Sequence, residues 1–175
     1  MQPTALFCFD DFQVHLLDES DVTGIQTVFE DSNDFSWLVA GQPSGPQEGE
    51  EFLIDLPPGK SGADKFPLGV LDGEQRLTGV LDVVRDYPEP GVWFIGLLLF
   101  PPQQRGGGLG RRTVEALCTW LRAQDAQAVM LGVVGENQAG LRFWERAGFT
   151  VVDQRPPRRF GQKEQIVLVM RRPLT

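Results

Sequence analysis

The run Gly96-Leu-Leu-Leu-Phe-Pro-Pro-Gln-Gln-Arg-Gly-Gly-Gly-Leu-Gly-Arg-Arg112 decides how this chain folds. An apolar strand ends at Phe100, Pro101 and Pro102 stop it, a basic glycine-rich turn follows, and a helix opens at Leu109. Glycines have no Cβ, so a ligand can lie directly on the backbone of such a turn. The amides that open a helix lack an internal partner, point outward and favour an anion. Strand, turn, helix and flanking arginines together read as a phosphate cradle. Spacing excludes two common ones. A dinucleotide fingerprint starting at Gly106 and Gly108 needs its third glycine where Arg111 stands. A Walker A loop needs Lys-Ser/Thr after its last glycine, and Gly110 is followed by Arg111 and Arg112. The triplet Gly59-Lys60-Ser61 lacks the upstream glycine of that motif and precedes no helical pattern.

What the turn does contain is Arg105-x-x-Gly108-x-Gly110, preceded by an apolar strand and a proline. A second segment follows one helix and one strand later, Asn137-Gln-Ala-Gly-Leu-Arg-Phe-Trp-Glu-Arg-Ala-Gly148-Phe149. It sets Asn137, Gly140, the aromatic pair Phe143-Trp144 and a closing Gly148-Phe149 on strand, helix and strand. In this order the two segments resemble the coenzyme A signatures of the GCN5-related N-acetyltransferases, the GNAT superfamily. The resemblance covers roughly residues 66–172. It implies a single α/β domain over residues 1–175, with an acceptor-side region in 1–65 and an acyl-CoA-binding core in 66–172.

The totals fit that reading. A chain of 175 residues with 41% hydrophobic content buries an ordinary core. The longest apolar run, Val92 to Phe100, is about half of what a membrane span needs. Residues 1–9 show no basic start of a signal peptide. Cys8 and Cys118 form no metal spacing and His15 is the only histidine, which argues against a zinc site or a His-based triad. Two cysteines in such a chain suggest a reducing cytoplasm. The net charge of −8 is uneven. Residues 1–100 carry four bases against 18 acids, and residues 101–175 carry 12 bases against six acids. A basic half suits a polyphosphate cofactor and an acidic half suits a cationic substrate, although sequence halves need not be spatial halves. The pI of about 4.6 disfavours nucleic acid as a partner.

Periodicity supplies the elements. Phe12 to Leu17 reads as a first strand, and Asp18 to Asp21 as capping chemistry for a helix carrying Val22, Ile25, Val28 and Phe29. A short helix over Asn33–Val39, a Gly/Pro-rich loop over 41–49 and a helical stretch over Glu50–Leu56 follow. Phe66–Leu71, Leu77–Val84 and Val92–Phe100 form an antiparallel meander, with Asp72-Gly73 as a hairpin turn pair. A helix over Leu109–Ala123 buries Val114, Leu117, Cys118 and Leu121. The apolar run Ala128–Val134 is a buried strand, parallel to the one ending at Phe100 because a helix joins them. A helix over Gln138–Ala147 stops at Gly148, and Phe149–Gln154 with Gln165–Arg171 makes a closing hairpin around a basic loop, Arg155–Phe160. The expected fold is therefore a mixed central sheet flanked by helices, with an antiparallel N-terminal meander, one splayed parallel strand pair and a C-terminal hairpin.

The resemblance assigns roles to these positions. Backbone amides of Arg105, Gly106, Gly107, Gly108, Leu109 and Gly110 would take the pyrophosphate of acetyl-CoA, with the side chains of Arg105, Arg111 and Arg112 adding charge or standing as solvated caps. The main chain of Leu98, Leu99 and Phe100 would meet the pantetheine arm, and one amide there would polarise the thioester. Asn137 either caps its helix or binds cofactor, or does both, and Gly140, Phe143 and Trp144 complete the cofactor side. Two departures stand out. The glutamate that many relatives carry before the glycine turn is replaced by Ile95-Gly96-Leu97, which leaves Asp82 as the one acid well inside the strand pattern. The tyrosine that often serves as acid is replaced by Trp144, and the chain's one tyrosine is Tyr87. Asp82 and Tyr87 are thus the catalytic candidates, each with a plain structural alternative. No metal is implied. The expected activity is acetyl-CoA-dependent N-acetylation of a small primary amine, with a longer acyl-CoA donor, an oxygen acceptor, or a catalytically silent CoA-binding sensor or interaction module as alternatives. Relatives often dimerise, so a homodimer is an expectation too, and neither nucleic acid nor membrane is.

Overall fold

The computed structural model describes residues 4–175. Antiparallel pairing runs from one edge through β1 (Phe7–Phe9), β2 (Phe12–Leu16), β3 (Lys65–Leu71), β4 (Leu77–Val84) and β5 (Val92–Leu99). β5 then pairs in parallel with β6 (Ala128–Val134), after which β8 (Lys163–Pro173) and β7 (Thr150–Phe160) extend the sheet antiparallel. The spatial order of this eight-stranded sheet is β1-β2-β3-β4-β5-β6-β8-β7. The parallel pair falls where the sequence placed it, because only a crossover helix can return the chain to the same end of the sheet.

Helices cover both faces. Against one lie α4 (Leu109–Ala123) and α5 (Gln138–Arg146), with Val114, Leu117, Cys118, Leu121 and Trp144 packed on Leu68, Leu81, Val83 and Leu131. Against the other lie α1 (Val22–Asp31), α2 (Asn33–Ala40) and α3 (Glu48–Ile54), where Ile25, Val28 and Phe52 meet Leu17, Val80 and Leu99. The period of two along β4 sends Leu81 and Val83 one way and Val80 the other. No helix among the described residues is long and apolar enough to cross a membrane.

Four local expectations are corrected. The basic stretch Arg155–Phe160 is strand rather than loop, since β7 runs unbroken to Phe160. Pro156 and Pro157 are accommodated because β7 is the outer strand and its register shifts between Arg155 and Arg158. A strand, β1, precedes the one read first, and at three residues it is too short to show a period. α3 starts at Glu48 rather than Glu50, because the Gln26 side chain accepts the Gly49 amide (2.9 Å) and donates to Gly45 O (2.8 Å). In the β3–β4 hairpin the left-handed residue is Gln75 (φ 62°) rather than Gly73. There the Asp72 carboxylate accepts the amides of Glu74 (2.9 Å) and Arg76 (3.0 Å).

Candidate functional site

The parallel pair is short. β5 and β6 are in register from Val92 and Ala128 to Ile95 and Leu131, and there the pairing stops. Beyond that point β5 keeps only β4, and β6 keeps only β8. The strands part at a bulge, where the β4–β5 register shifts between Asp82 and Val83 and leaves Gly96 as the extra residue. The bulge also changes which face the side chains take. Trp93 and Ile95 pack toward α4, whereas Leu97 and Leu99 turn toward α1 and α3. The result is a cleft through the sheet with one lip on Leu97–Phe100 and the other on Gly132–Val134.

The glycine turn closes one end of this cleft. Gly106 and Gly108 have φ values of 88° and 82°, a left-handed backbone that side chains resist. A Cβ at Gly106, Gly107 or Gly108 would have nothing within 4 Å, so the space above the turn is open. Their amides make no backbone hydrogen bond among the described residues, and α4 begins immediately afterwards. Three unbonded donors and a helix N-terminus thus lie together beside open space, the chemistry that favours an anion. The Arg105 amide is not among the free ones, since it donates to Pro102 O (3.1 Å). Leu109 buries its side chain in the core. Gly110 lies under the Phe143 ring, 3.2 Å from where its Cβ would be, so it sets how closely α4 and α5 approach.

The arginines divide in a way the sequence did not show. Arg105 donates from Nε to Phe100 O (2.6 Å), and its guanidinium grips Asp34 in the first turn of α2. Arg112 pairs with Asp10 (3.1 Å). Arg111 is exposed and forms no ion pair among the described residues. A groove of about 740 Å³ runs along the outer side of α4 from Gly108, Arg111 and Arg112 to Trp120, walled by residues 7–10.

α2 bridges the two lips. Its first turn is tied to the glycine turn through Asp34 and Arg105, while Gln165 on β8 donates to Leu38 O (3.0 Å) and Val39 O (2.7 Å) at its last turn. Lys163 adds a bond to Leu38 O (3.2 Å) and one to Glu136 (2.6 Å) in the β6–α5 loop. Trp37, on this bridge, is 54% exposed. Bonding to Arg105 holds the Asp34 carboxyl below its ordinary range. The pair therefore supports folding above the unfolded carboxylate pKa of about 3.9, and that support is lost as pH falls through the lower folded value. Both side chains are substantially exposed, so Asp34→Asn should cost under about 1 kcal/mol in a urea melt. Its local effect should be larger: hydrogen exchange of α2 amides should quicken while that of α4 amides does not.

The second segment caps α5 and packs its aromatic pair. Asn137 Oδ1 accepts the Gly140 amide (2.9 Å), capping α5, while its Nδ2 makes no hydrogen bond among the described residues. Phe143 is half-buried, and Trp144, 9% exposed, sits between Phe143 (4.9 Å) and Phe149 (5.2 Å) in the core. Tyr87 lies beyond the opposite end of β5, edge-on to Phe94 (5.4 Å), and is not brought to the cleft.

Asp82 is at the cleft. It faces the bulge, with Oδ2 just 2.5 Å from where a Cβ on Gly96 would be. Its Oδ1 accepts from Lys65 Nζ (2.8 Å), which also donates to Asp55 O (2.7 Å). The two side chains are 15% and 4% exposed. Burial raises the Asp82 carboxyl above its ordinary range, with the Lys65 bond working the other way. The contribution of this group to stability is thus full below the unfolded carboxylate pKa and declines as pH rises through the folded one. Lys65, 17 residues away in sequence, is the partner that sequence reading missed.

The fold is thus a mixed α/β sheet whose parallel strands part into a cleft, with three unbonded amides and a helix N-terminus at its end. The family model for acetyltransferases of the GNAT family matches residues 27–149. The chain belongs to the GNAT acetyltransferase family. An acetyltransferase from Thermus thermophilus superposes with a TM-score of 0.75 at 20% identity, over 94% of this chain and 97% of that one. A spermidine N-acetyltransferase from Vibrio cholerae, in complex with CoA and spermine, gives 0.73 at 17% identity, over 94% and 96%. In sequence, a mycothiol acetyltransferase of Streptosporangium roseum is 41% identical over 59 residues, 34% of this chain and 17% of that protein.

Proposed function

We propose that this protein transfers an acetyl group from acetyl-CoA to the primary amine of a small molecule, with residues 1–65 forming the acceptor side and 66–172 the acyl-CoA core. The observation that carries the reading is the set of free amides at Gly106, Gly107 and Gly108 on the N-terminus of α4, at the end of a cleft that opens β5 to a ligand. Those amides hold the pyrophosphate, and Arg111 is the cation left free to reinforce them. Beyond Ile95 the β5 main chain has no β6 partner, so Leu98 and Leu99 can bond the pantetheine arm and present an amide to the thioester carbonyl. The Phe100 carbonyl is already taken by Arg105 and fixes the lip instead. Asn137 Nδ2, which makes no hydrogen bond among the described residues, is a further donor for the cofactor in this reading. Bound acetyl-CoA supplies an activated acyl carbon and a thiolate leaving group. A thiol pKa near 8.5 makes that a good leaving group, so solvent protonates it and neither Tyr87 nor Trp144 is given that task.

The acceptor is a cation in this reading, drawn in by the acidic first hundred residues. A panel of amines assayed for release of CoA thiol should find a turned-over primary amine, with kcat/KM falling as salt rises. Binding of acetyl-CoA with no thiol release from any amine would instead mark a sensor. Turnover only with a longer acyl-CoA would change the donor, and a best substrate that is anionic would shift attention to Arg155, Arg158 and Arg159 on β7.

A further inference from the structure

We infer that Asp82, reaching across from β4 into the space that Gly96 leaves empty, is the group that takes the proton from the acceptor amine, and that Lys65 is the residue that positions it. The inference rests on the acetyl-transfer reading above and supplies the base that the sequence of β5 lacks.

The geometry is specific. Gly96 and Leu97 both oppose Asp82 at the bulge, and their side chains would share one side of the sheet. Any residue but glycine at 96 would collide with the Asp82 carboxylate. The carboxylate therefore fills the space over Gly96, at the bulge beside the point where β5 and β6 part after Ile95 and Leu131. It is not an enclosed salt bridge. Oδ1 is held by Lys65, while Oδ2 has no partner among the described residues, yet it is not sealed from solvent. Lys65 is itself anchored to Asp55 O, on the chain leaving α3, and its ammonium lies 5.8 Å from the Phe52 ring centroid. That places the lysine by three contacts and leaves it no freedom to follow a substrate. The charged groups facing Asp82 are Lys65 from β3 and Asp55 from the end of α3, of opposite sign. Burial and this surrounding hold the carboxyl above its ordinary range, which brings a carboxylate closer to the basicity proton abstraction needs.

The proton balance is simple. Asp82 Oδ2 takes one proton from the acceptor ammonium, directly or through one water, leaving a neutral amine. The amine nitrogen then bonds the acyl carbon as the C–S bond breaks, and the bonding pair of that bond leaves on sulfur. The nitrogen loses a second proton, which solvent passes to the thiolate, and Asp82 releases its own to bulk water. An ammonium and a thioester give an amide, a thiol and one proton.

The test uses the full chain and the amine found in the panel. Asp82→Asn should lower kcat by about 10²–10⁴ for a strongly basic amine. It should leave the acetyl-CoA-dependent rise in melting temperature as in the wild type. An aromatic amine, already neutral near pH 7, should lose less than about tenfold. Because Asp82→Asn strands a buried lysine, the double variant Asp82→Asn, Lys65→Met is measured beside it. Removing both charges of such a pair is often neutral for stability, and the same losses are expected. A readout independent of turnover comes from the wild type without acetyl-CoA, where the amine should shift the carboxyl ¹³C resonance of Asp82. Activity within about threefold of wild type in either variant, equal losses for both amines, or an unmoved resonance would overturn the assignment of Asp82. A wild type that turns over no amine would instead overturn the acetyl-transfer reading itself.

Discussion

Gly108→Val is expected to abolish the stabilisation that acetyl-CoA confers. At a hundredfold excess over its Kd, a ligand that binds only the folded state adds about 2.7 kcal/mol. Nothing of the protein lies within 4 Å of a Cβ at Gly108, so the valine would project into the space above the free amides. A branched side chain there excludes a phosphate from the donors. The substitution also strains the backbone, whose φ is 82°, so the variant will melt lower without ligand. Gly59→Val separates the two effects. Gly59 has φ 83° and open surroundings as well, but it lies in the loop after α3, away from the cradle. It should lose stability to the same strain and keep the full acetyl-CoA response. If Gly108→Val keeps the response too, the pyrophosphate is held elsewhere, and the groove along α4 becomes the place to look.

Phe149→Ala is expected to cost about 3–5 kcal/mol, the range for deleting a buried phenylalanine. Phe149 is 1% exposed and meets the Trp144 ring at 5.2 Å, where α5 hands the chain to β7. For a protein of this size that loss corresponds to a fall in Tm of roughly 6–20 °C by calorimetry. The effect is large against a total stability of about 5–15 kcal/mol, and the variant is expected to populate unfolded chain at 37 °C. Phe160→Ala is the contrast. That ring stands at the exposed end of β7 under Arg158 at 4.5 Å, an arrangement worth about 0.5–1 kcal/mol. Comparable losses in the two variants would mean that Phe149 does not anchor the junction of α5 and β7.

The two experiments address the two segments in turn, Gly108 in the glycine turn and Phe149 at the close of the second. Gly148-Phe149 and Trp144 hold α5 on the sheet, and Gly110 under Phe143 holds α5 against α4. In the proposed reading the cofactor side then falls to Asn137 and to main-chain atoms, and the aromatic residues of that segment place the helix.

The sequence by itself determined the glycine turn, its strand and helix, and the parallel relation of β5 and β6, and it offered Asn137 as a cap for α5. Each of these is written in neighbouring residues: a period of two or 3.6, a glycine where φ must be positive, an Asn before a helical run. The tertiary structure alone decided the rest. It diverted Arg105 from the cradle to Asp34, set Lys65 on Asp82, and left Gly96 bare so that an acid from the next strand could stand over it. It also turned Arg155–Phe160 from loop into strand, since prolines are tolerated only once β7 is known to be the outer strand. The two ion pairs bring together residues 17 and 71 positions apart, across strands and helices. No local pattern records such a meeting, because the charge of an arginine or an aspartate is the same whether it faces a phosphate, a substrate or another side chain. Only the packing that brings its partner within about 3 Å decides which.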